Sequence, residues 1–428
     1  MRRPSLPEGG RVPEVWGGLE CTVNRIGNAY LDQVARTGHA RRPLDLELIA
    51  ELGFRTLRYP LLWERTAPLG AGRANWAWAD ARMAQLRSLG IRPIAGLVHH
   101  GSGPSFTDLL DPGWGHHLAH HAGAVARRYP WIDWYTPVNE PLTTARFSGL
   151  YGHWYPHHRN DRSFARAVIN QGRGVVLSMR AIRAVNPAAS LMQTEDLGFV
   201  QAVPELRYQA DFENERRWLT FDLLSGRVTR DHPLHQYLLW CGIPAADLAW
   251  FEEHATPPQL LGINYYVVSE RYLDKSPKGD ETDGGNGRER YRDLEAARSI
   301  GLIGIAELLR QAWIRYGTPL VLSEAHLAGP VDEQYRWLVH MWDAACAAQA
   351  NGIDLRAMTI WSLLGAWDWD RLCTVCGDYY EPGVFDVRSG LPRGTELAEA
   401  IPFLVRGMRP EHRFLSEPGW WEAPCPVN

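Results

Sequence analysis

Eight short apolar runs alternate along the chain with longer amphipathic segments. The runs lie near Val15–Glu20, Thr56–Leu61, Pro93–His99, Trp134–Asn139, Ser190–Glu195, Leu260–Tyr266, Leu320–Glu324 and Ala357–Leu363. Strands buried on both faces read as continuous apolar runs, and alternation with helices implies parallel pairing through crossovers. Eight such units predict an α/β fold: a single (β/α)8 TIM barrel over residues 1–428, with long βα loops. The intervening helical patterns include Leu44–Leu52, Ala79–Leu89, Phe164–Val185 and Glu295–Tyr316. Pro43 opens the first and Gly53 closes it, while Gly90 and Gly317 close two others. Asp274–Arg290 is charged and rich in glycine, which predicts a mobile loop after the sixth strand. The tail from about residue 409 is rich in Pro and Trp and is expected to pack irregularly.

Composition limits the partners. Apolar residues make up 45% of the 428 residues and charged residues 22%, so a large core can be buried. The formal net charge of −4 gives no attraction for nucleic acid or an anionic membrane. No run approaches the roughly 18 apolar residues of a membrane span. The start, Met1–Gly10, has basic residues but no apolar signal core, so a cytoplasmic protein is expected. Its six cysteines, scattered except for Cys373 and Cys376, then read as reduced thiols. The 19 tryptophans mildly favour a carbohydrate site, because flat aromatic faces suit sugar rings. Nothing in the sequence sets the oligomeric state.

Active sites of (β/α)8 barrels form at the C-terminal ends of the strands. Glu140 closes the fourth run in Tyr135-Thr136-Pro137-Val138-Asn139-Glu140-Pro141, and Glu324 closes the seventh in Pro319-Leu320-Val321-Leu322-Ser323-Glu324. Two carboxyl groups at that end can flank one bond, one as proton donor and the other as nucleophile. A separation of roughly 5–5.5 Å would give a retaining glycosidase.

The surrounding motifs strengthen this expectation. Arg58 and Trp63-Glu64-Arg65 belong to the second strand and the residues just after it, Leu97-Val98-His99 to the third, and Gly262-Ile263-Asn264-Tyr265-Tyr266 to the sixth. Trp361-Ser362-Leu363-Leu364 closes the eighth, with Trp369 after it. From Trp16 to Asp386 the chain resembles glycoside hydrolase family 1, the retaining β-glycosidases. The resemblance implies Glu140 as acid/base and Glu324 as nucleophile. It implies sugar contacts from Asn24, His99, Asn139, Tyr266, Trp361, Asp368 and Trp369, with Arg58 and Asn264 in support. The implied substrate is a β-glycoside or oligosaccharide, cleaved without metal or organic cofactor. Several positions depart from the family pattern: Asn24 for Gln, His100 for Trp, Gly365-Ala366 for Asp-Asn and Asp368 for Glu. The pocket for the terminal sugar is therefore altered. His100 and Arg371 raise the idea of an acidic sugar.

Other features are read more plainly. Glu195 ends the fifth run and reads as a surface or salt-bridged carboxylate. His116, His117, His120 and His121 have spacing that can bind a metal, but no HExxH glutamate accompanies them, and the segment reads as an outer helix. A transglycosidase using the same two glutamates, or a sugar-binding barrel without turnover, remains open at this stage.

Overall fold

The structure, a computed structural model, describes residues 12–275 and 284–422. Eight parallel strands close into a barrel: β1 (Glu14–Gly18), β2 (Thr56–Pro60), β3 (Arg92–Gly96), β4 (Trp134–Thr136), β5 (Ser190–Asp196), β6 (Leu260–Tyr265), β7 (Leu320–Ala325) and β8 (Leu355–Ile360). Each pairs with its chain neighbours, and β8 returns to β1 through Val15↔Met358 and Gly17↔Ile360. All eight stand where the apolar runs predict them. The third and fourth runs outlast their strands because the backbone there continues beyond the ladder into the barrel mouth. His99 and Asn139 still meet there as an isolated parallel bridge.

The barrel interior explains why polar chemistry collects at one end. Trp16, Ile94, Met192 and Val321 from the four odd strands form one buried cluster with Leu260 and Ala357 from even ones, and the half-buried Trp134 packs against it. Inward side chains from alternate strands stack in layers that fill such a barrel, so it is a plug and not a pore. Buried polar residues such as Arg58, Asn139 and Asn264 lie above this plug, toward the C-terminal ends.

Helices wrap the outside. Helix Asp161–Arg183 starts at Asn160, whose side chain accepts the Ser163 N–H. It crosses helix Trp114–Arg128 so closely that a Cβ on Gly115 would stand 3.0 Å from the Gly174 nitrogen. Only glycine permits that approach. Among the described residues no helix is long and apolar enough to cross a membrane.

Two expectations need correction. The helical pattern Glu295–Tyr316 is two helices, Ala296–Ser299 and Ile305–Tyr316, with Glu295 at the end of a strand. Gly301 and Gly304 break it, both in left-handed backbone at φ +88° and +86°. Asp274–Arg290 is not simply a loop. Glu270–Lys275, Gly284–Gly285 and Arg290–Glu295 join Phe199–Ala202 in a small four-stranded sheet beyond β5 and β6. Residues 276–283, the middle of that segment, lie outside the described residues, as do the start, 1–11, and the end, 423–428. The described part of the tail is irregular, with short turns at Arg413–Ser416 and Trp420–Glu422. Trp421 is buried edge-on against Trp337.

Candidate active site

Glu324 is held at both oxygens. Arg58, on β2, donates from Nη1 to Glu324 Oε1 at 2.7 Å and to the Ser323 carbonyl at 2.6 Å. The Tyr266 hydroxyl donates to Glu324 Oε2 at 2.5 Å. The register of β7 against β6 shifts between Leu322 and Glu324, and such irregularities re-aim a side chain at a barrel rim. Burial raises the Glu324 pKa, and the Arg58 charge and the Tyr266 hydrogen bond oppose that rise.

Glu140 is placed differently. Its backbone is left-handed, at φ +46° and ψ +62°, where the chain turns from the β4 segment into helix Pro141–Ala145. A non-glycine residue in that region is strained, and such strain persists where surrounding structure over-determines it. Pro141 suits the first helical position, since its missing N–H has no intrahelical partner there. The Asn264 amide donates to Glu140 Oε1 at 2.5 Å, and its carbonyl accepts the Ser323 hydroxyl. Asn264 therefore ties the Glu140 carboxyl to the residue preceding Glu324. Burial pushes the Glu140 pKa well above the usual carboxylate range, and the neighbouring Glu324 charge adds to it.

Asn139 lies between them. Its carbonyl accepts from Arg58 at 2.6 Å and from Thr194 Oγ1 at 2.7 Å. That orientation turns its amide toward His99 Nε2 and His100 Nε2, at 3.3 and 3.4 Å. Burial lowers both imidazoles, His99 well below its ordinary value and His100 to about 3, so both are neutral. The 3.7 Å approach of His100 to Glu140 is thus not an ion pair.

The expected sugar contacts reach the same end of the barrel, but several are engaged by the protein. The His99 ring stacks on the Trp361 indole at 5.3 Å, and the Arg58 guanidinium lies 4.8 Å from the same ring. Trp369 is half-buried against His100 and Trp154. Asn24 is buried in the hairpin of Val23–Ile26 with Ala29–Asp32, and its amide donates to the Cys373 carbonyl. Asp368 is buried, paired with Arg36, and accepts the Tyr379 N–H at 2.9 Å. Arg36→Met would leave that carboxylate without its cation and should cost about 3 kcal/mol. Urea unfolding of the variant checks this. Arg371 is largely exposed and faces Asp370. With His100 neutral as well, the two do not form a cationic grip for an acidic sugar.

Glu195 is not at the surface. It is fully buried and accepts the Leu142 N–H and the Thr220 hydroxyl, at 2.8 and 2.5 Å. Burial pushes its pKa up to about 8 from 4.5. The folded state then holds a proton that the unfolded state releases, so stability should fall as pH rises between those values. The slope is at most about 1.4 kcal/mol per pH unit. Glu195→Gln should flatten it, as measured by urea unfolding near pH 5 and near pH 8. Elsewhere, His121 stacks between Trp63 and Trp76 on helix Trp114–Arg128. Among the described residues no group of three or more His, Cys, Asp or Glu side chains is arranged to hold a metal. Cys373 is a buried free thiol and Cys376 an exposed one.

Comparison with known proteins agrees with this geometry. Residues 5–206 match the description of Glycosyl hydrolase family 1. Beta-glucosidase 4 of Oryza sativa subsp. japonica is 24% identical, over 85% of this chain and 83% of its own. Beta-glucosidase A of Acetivibrio thermocellus is 22% identical, over 85% and 86%. The chain is similar to glycosyl hydrolase family 1 over residues 5–206 and to β-glucosidases over most of its length. The barrel itself is shared with the family 1 β-glucosidase from Thermotoga maritima, at a TM-score of 0.75 and 17% identity, covering 95% of this chain and 99% of that one. The family 1 match contains Arg58, His99, Asn139 and Glu140. It ends before Glu324, whose place rests on the geometry described above.

Three participants escaped the sequence reading. Thr194 and Ser323 orient Asn139 and Asn264, and single hydroxyl residues on buried strands carry no signal of such a role. Glu20 is buried at the end of the first apolar run. An acidic residue closing a buried strand was the signal available for it, as it was for Glu140 and Glu324.

Proposed function

We propose that this protein is a retaining β-glycosidase that hydrolyses O-β-glycosides by double displacement. The observation that carries the reading is the opposed setting of two buried carboxyl groups in one chamber. Glu324 lies against a guanidinium and a phenol, which favour its charge. Glu140 is bound by a neutral amide and repelled by Glu324, which favours its proton. Groups whose environments separate them in this way divide the acid and nucleophile roles.

Glu324 attacks the anomeric carbon while Glu140 transfers its proton to the departing glycosidic oxygen. The products are a glycosyl ester on Glu324 and the free aglycone alcohol. Esterification removes the Glu324 charge that adds to the burial-driven rise of the Glu140 pKa, so Glu140 can then take a proton from water as the water attacks the ester's anomeric carbon. Asn139, held by Arg58 and Thr194, presents its amide to the sugar 2-hydroxyl, a contact that strengthens in the transition state. Tyr266 and Arg58 keep the nucleophile aligned.

The names of the relatives make β-glucosides the first substrates to try. A panel of aryl β-glycosides differing only in the sugar, followed by NMR, tests the proposal. The first-formed sugar should be the β-anomer; an initial α-anomer would mean inversion and overturn the mechanism. Chelation should leave the rate unchanged, because the two carboxyl groups supply both the acid and the nucleophile.

A further inference from the structure

The histidines of helix Trp114–Arg128 take no part in the proposed chemistry, yet they border a cavity. It has a volume of about 480 Å³ and lies on the outer wall of the barrel, between that helix and the segments that follow β2 and β3. Small-molecule sites have this size. None of the residues placed around Glu140 and Glu324 lines it.

Its walls are aromatic. The His121 ring lies nearly parallel between the indoles of Trp63 and Trp76, at interplanar angles of 19° and 7°. Phe106, half exposed, stands edge-on to His117. Flat ring faces of this kind favour a flat apolar ligand. Two buried residues of the wall also carry polar atoms that the protein leaves without a partner. Trp63 is 2% exposed, and its indole N–H meets no acceptor among the described residues. His121 is 3% exposed, and its Nε2 donates to the Leu61 carbonyl at 3.2 Å. Its Nδ1 is then an acceptor with no donor among the described residues. Buried polar groups are normally satisfied, so an orphaned donor and an orphaned acceptor at one cavity point to a ligand with polar atoms of its own.

The charge is one-sided. His117, His120 and Arg127 line the cavity, and no carboxylate does. Arg128, next in the chain, is paired with Asp80, whereas Arg127 has no ion pair among the described residues. An uncommitted guanidinium matches a carboxylate through two parallel N–H···O bonds.

We propose that this cavity binds a small aromatic carboxylate, with its ring against the wall of Trp63, His121 and Trp76 and its charge on Arg127. The inference stands on the cavity and does not rest on the glycosidase reading.

The probes are 2-naphthoate and its uncharged amide, 2-naphthamide, titrated by calorimetry into the whole protein. 2-Naphthoate should bind at one site, and the amide about tenfold more weakly. Arg127→Met should bring the acid down to the affinity of the amide. Ala124→Phe fills the cavity from its helix wall and should abolish binding of both. Glu324→Gln should leave binding unchanged, because the catalytic chamber is a different place. Urea unfolding checks that each variant is folded. A wild type that does not bind 2-naphthoate overturns the proposal, and so does an amide that binds as tightly as the acid. Undiminished binding to Arg127→Met overturns it too, and settles the matter even if Ala124→Phe does not fold. Binding lost in Glu324→Gln but kept in Arg127→Met would put the carboxylate in the catalytic chamber and equally overturn it.

Discussion

Replacing Glu324 by Gln is expected to abolish turnover on every glycoside the parent protein cleaves, a loss of roughly four to six orders of magnitude. Without an ionised carboxylate at the anomeric carbon, no glycosyl-enzyme forms and leaving-group quality makes no difference. Replacing Glu140 by Ala should act selectively. An aryl group of low pKa departs without a proton, so the variant should still form the glycosyl-enzyme. That species should then accumulate, because no base activates water, and steady-state turnover should fall by about 10²–10⁴-fold. A small anion such as azide needs no base and fits the space the carboxylate leaves. It should restore turnover and give the β-glycosyl azide. A burst assay on both variants, with and without azide, reads all of this. A burst and rescue in the Glu324 variant, with neither in the Glu140 variant, would show the roles to be reversed.

The barrel was legible because parallel strands buried on both faces need unbroken apolar runs, and eight occur in order. The two glutamates proposed as acid and nucleophile stood out because each sits within a few residues of its strand end, in a short motif. The misreadings have physical causes. Amphipathic spacing continues across Gly301 and Gly304, and only their left-handed backbone stops the helix. The Glu270–Lys275 and Arg290–Glu295 pair is short and partly solvated, so it lacks the apolar run that marks a barrel strand. The pocket was the least legible. Asp368 reads as a sugar contact, and nothing local marks its partner Arg36, 332 positions earlier. The stacking of His99 on Trp361 is equally invisible in the sequence. Such pairings are set by the closure of the barrel, and local pattern carries no trace of them.

Arg58→Met should produce the next largest loss, and its pH dependence separates an electrostatic role from a merely structural one. Arg58 is the strongest influence opposing the burial of charge on Glu324. Removing it raises the Glu324 pKa further, so at a given pH less of the nucleophile is ionised. The acid limb of kcat/KM should move to higher pH. The alkaline limb, where Glu140 loses its proton beside an already ionised Glu324, should not move to lower pH. The acid limb closes on it, and the maximum should drop by about 10²–10³-fold. Asn139 loses one of its two carbonyl donors as well, which loosens the amide aimed at the sugar. Arg58→Lys keeps a charge but cannot reach Glu324, Ser323 and Asn139 together. It should restore most of the acid limb while leaving part of the loss in the maximum. The measurement is kcat/KM against pH for both variants on an activated aryl glycoside, with urea unfolding to confirm that each is folded. If Arg58→Met lowers the rate equally at every pH, Arg58 does not set the charge of the nucleophile.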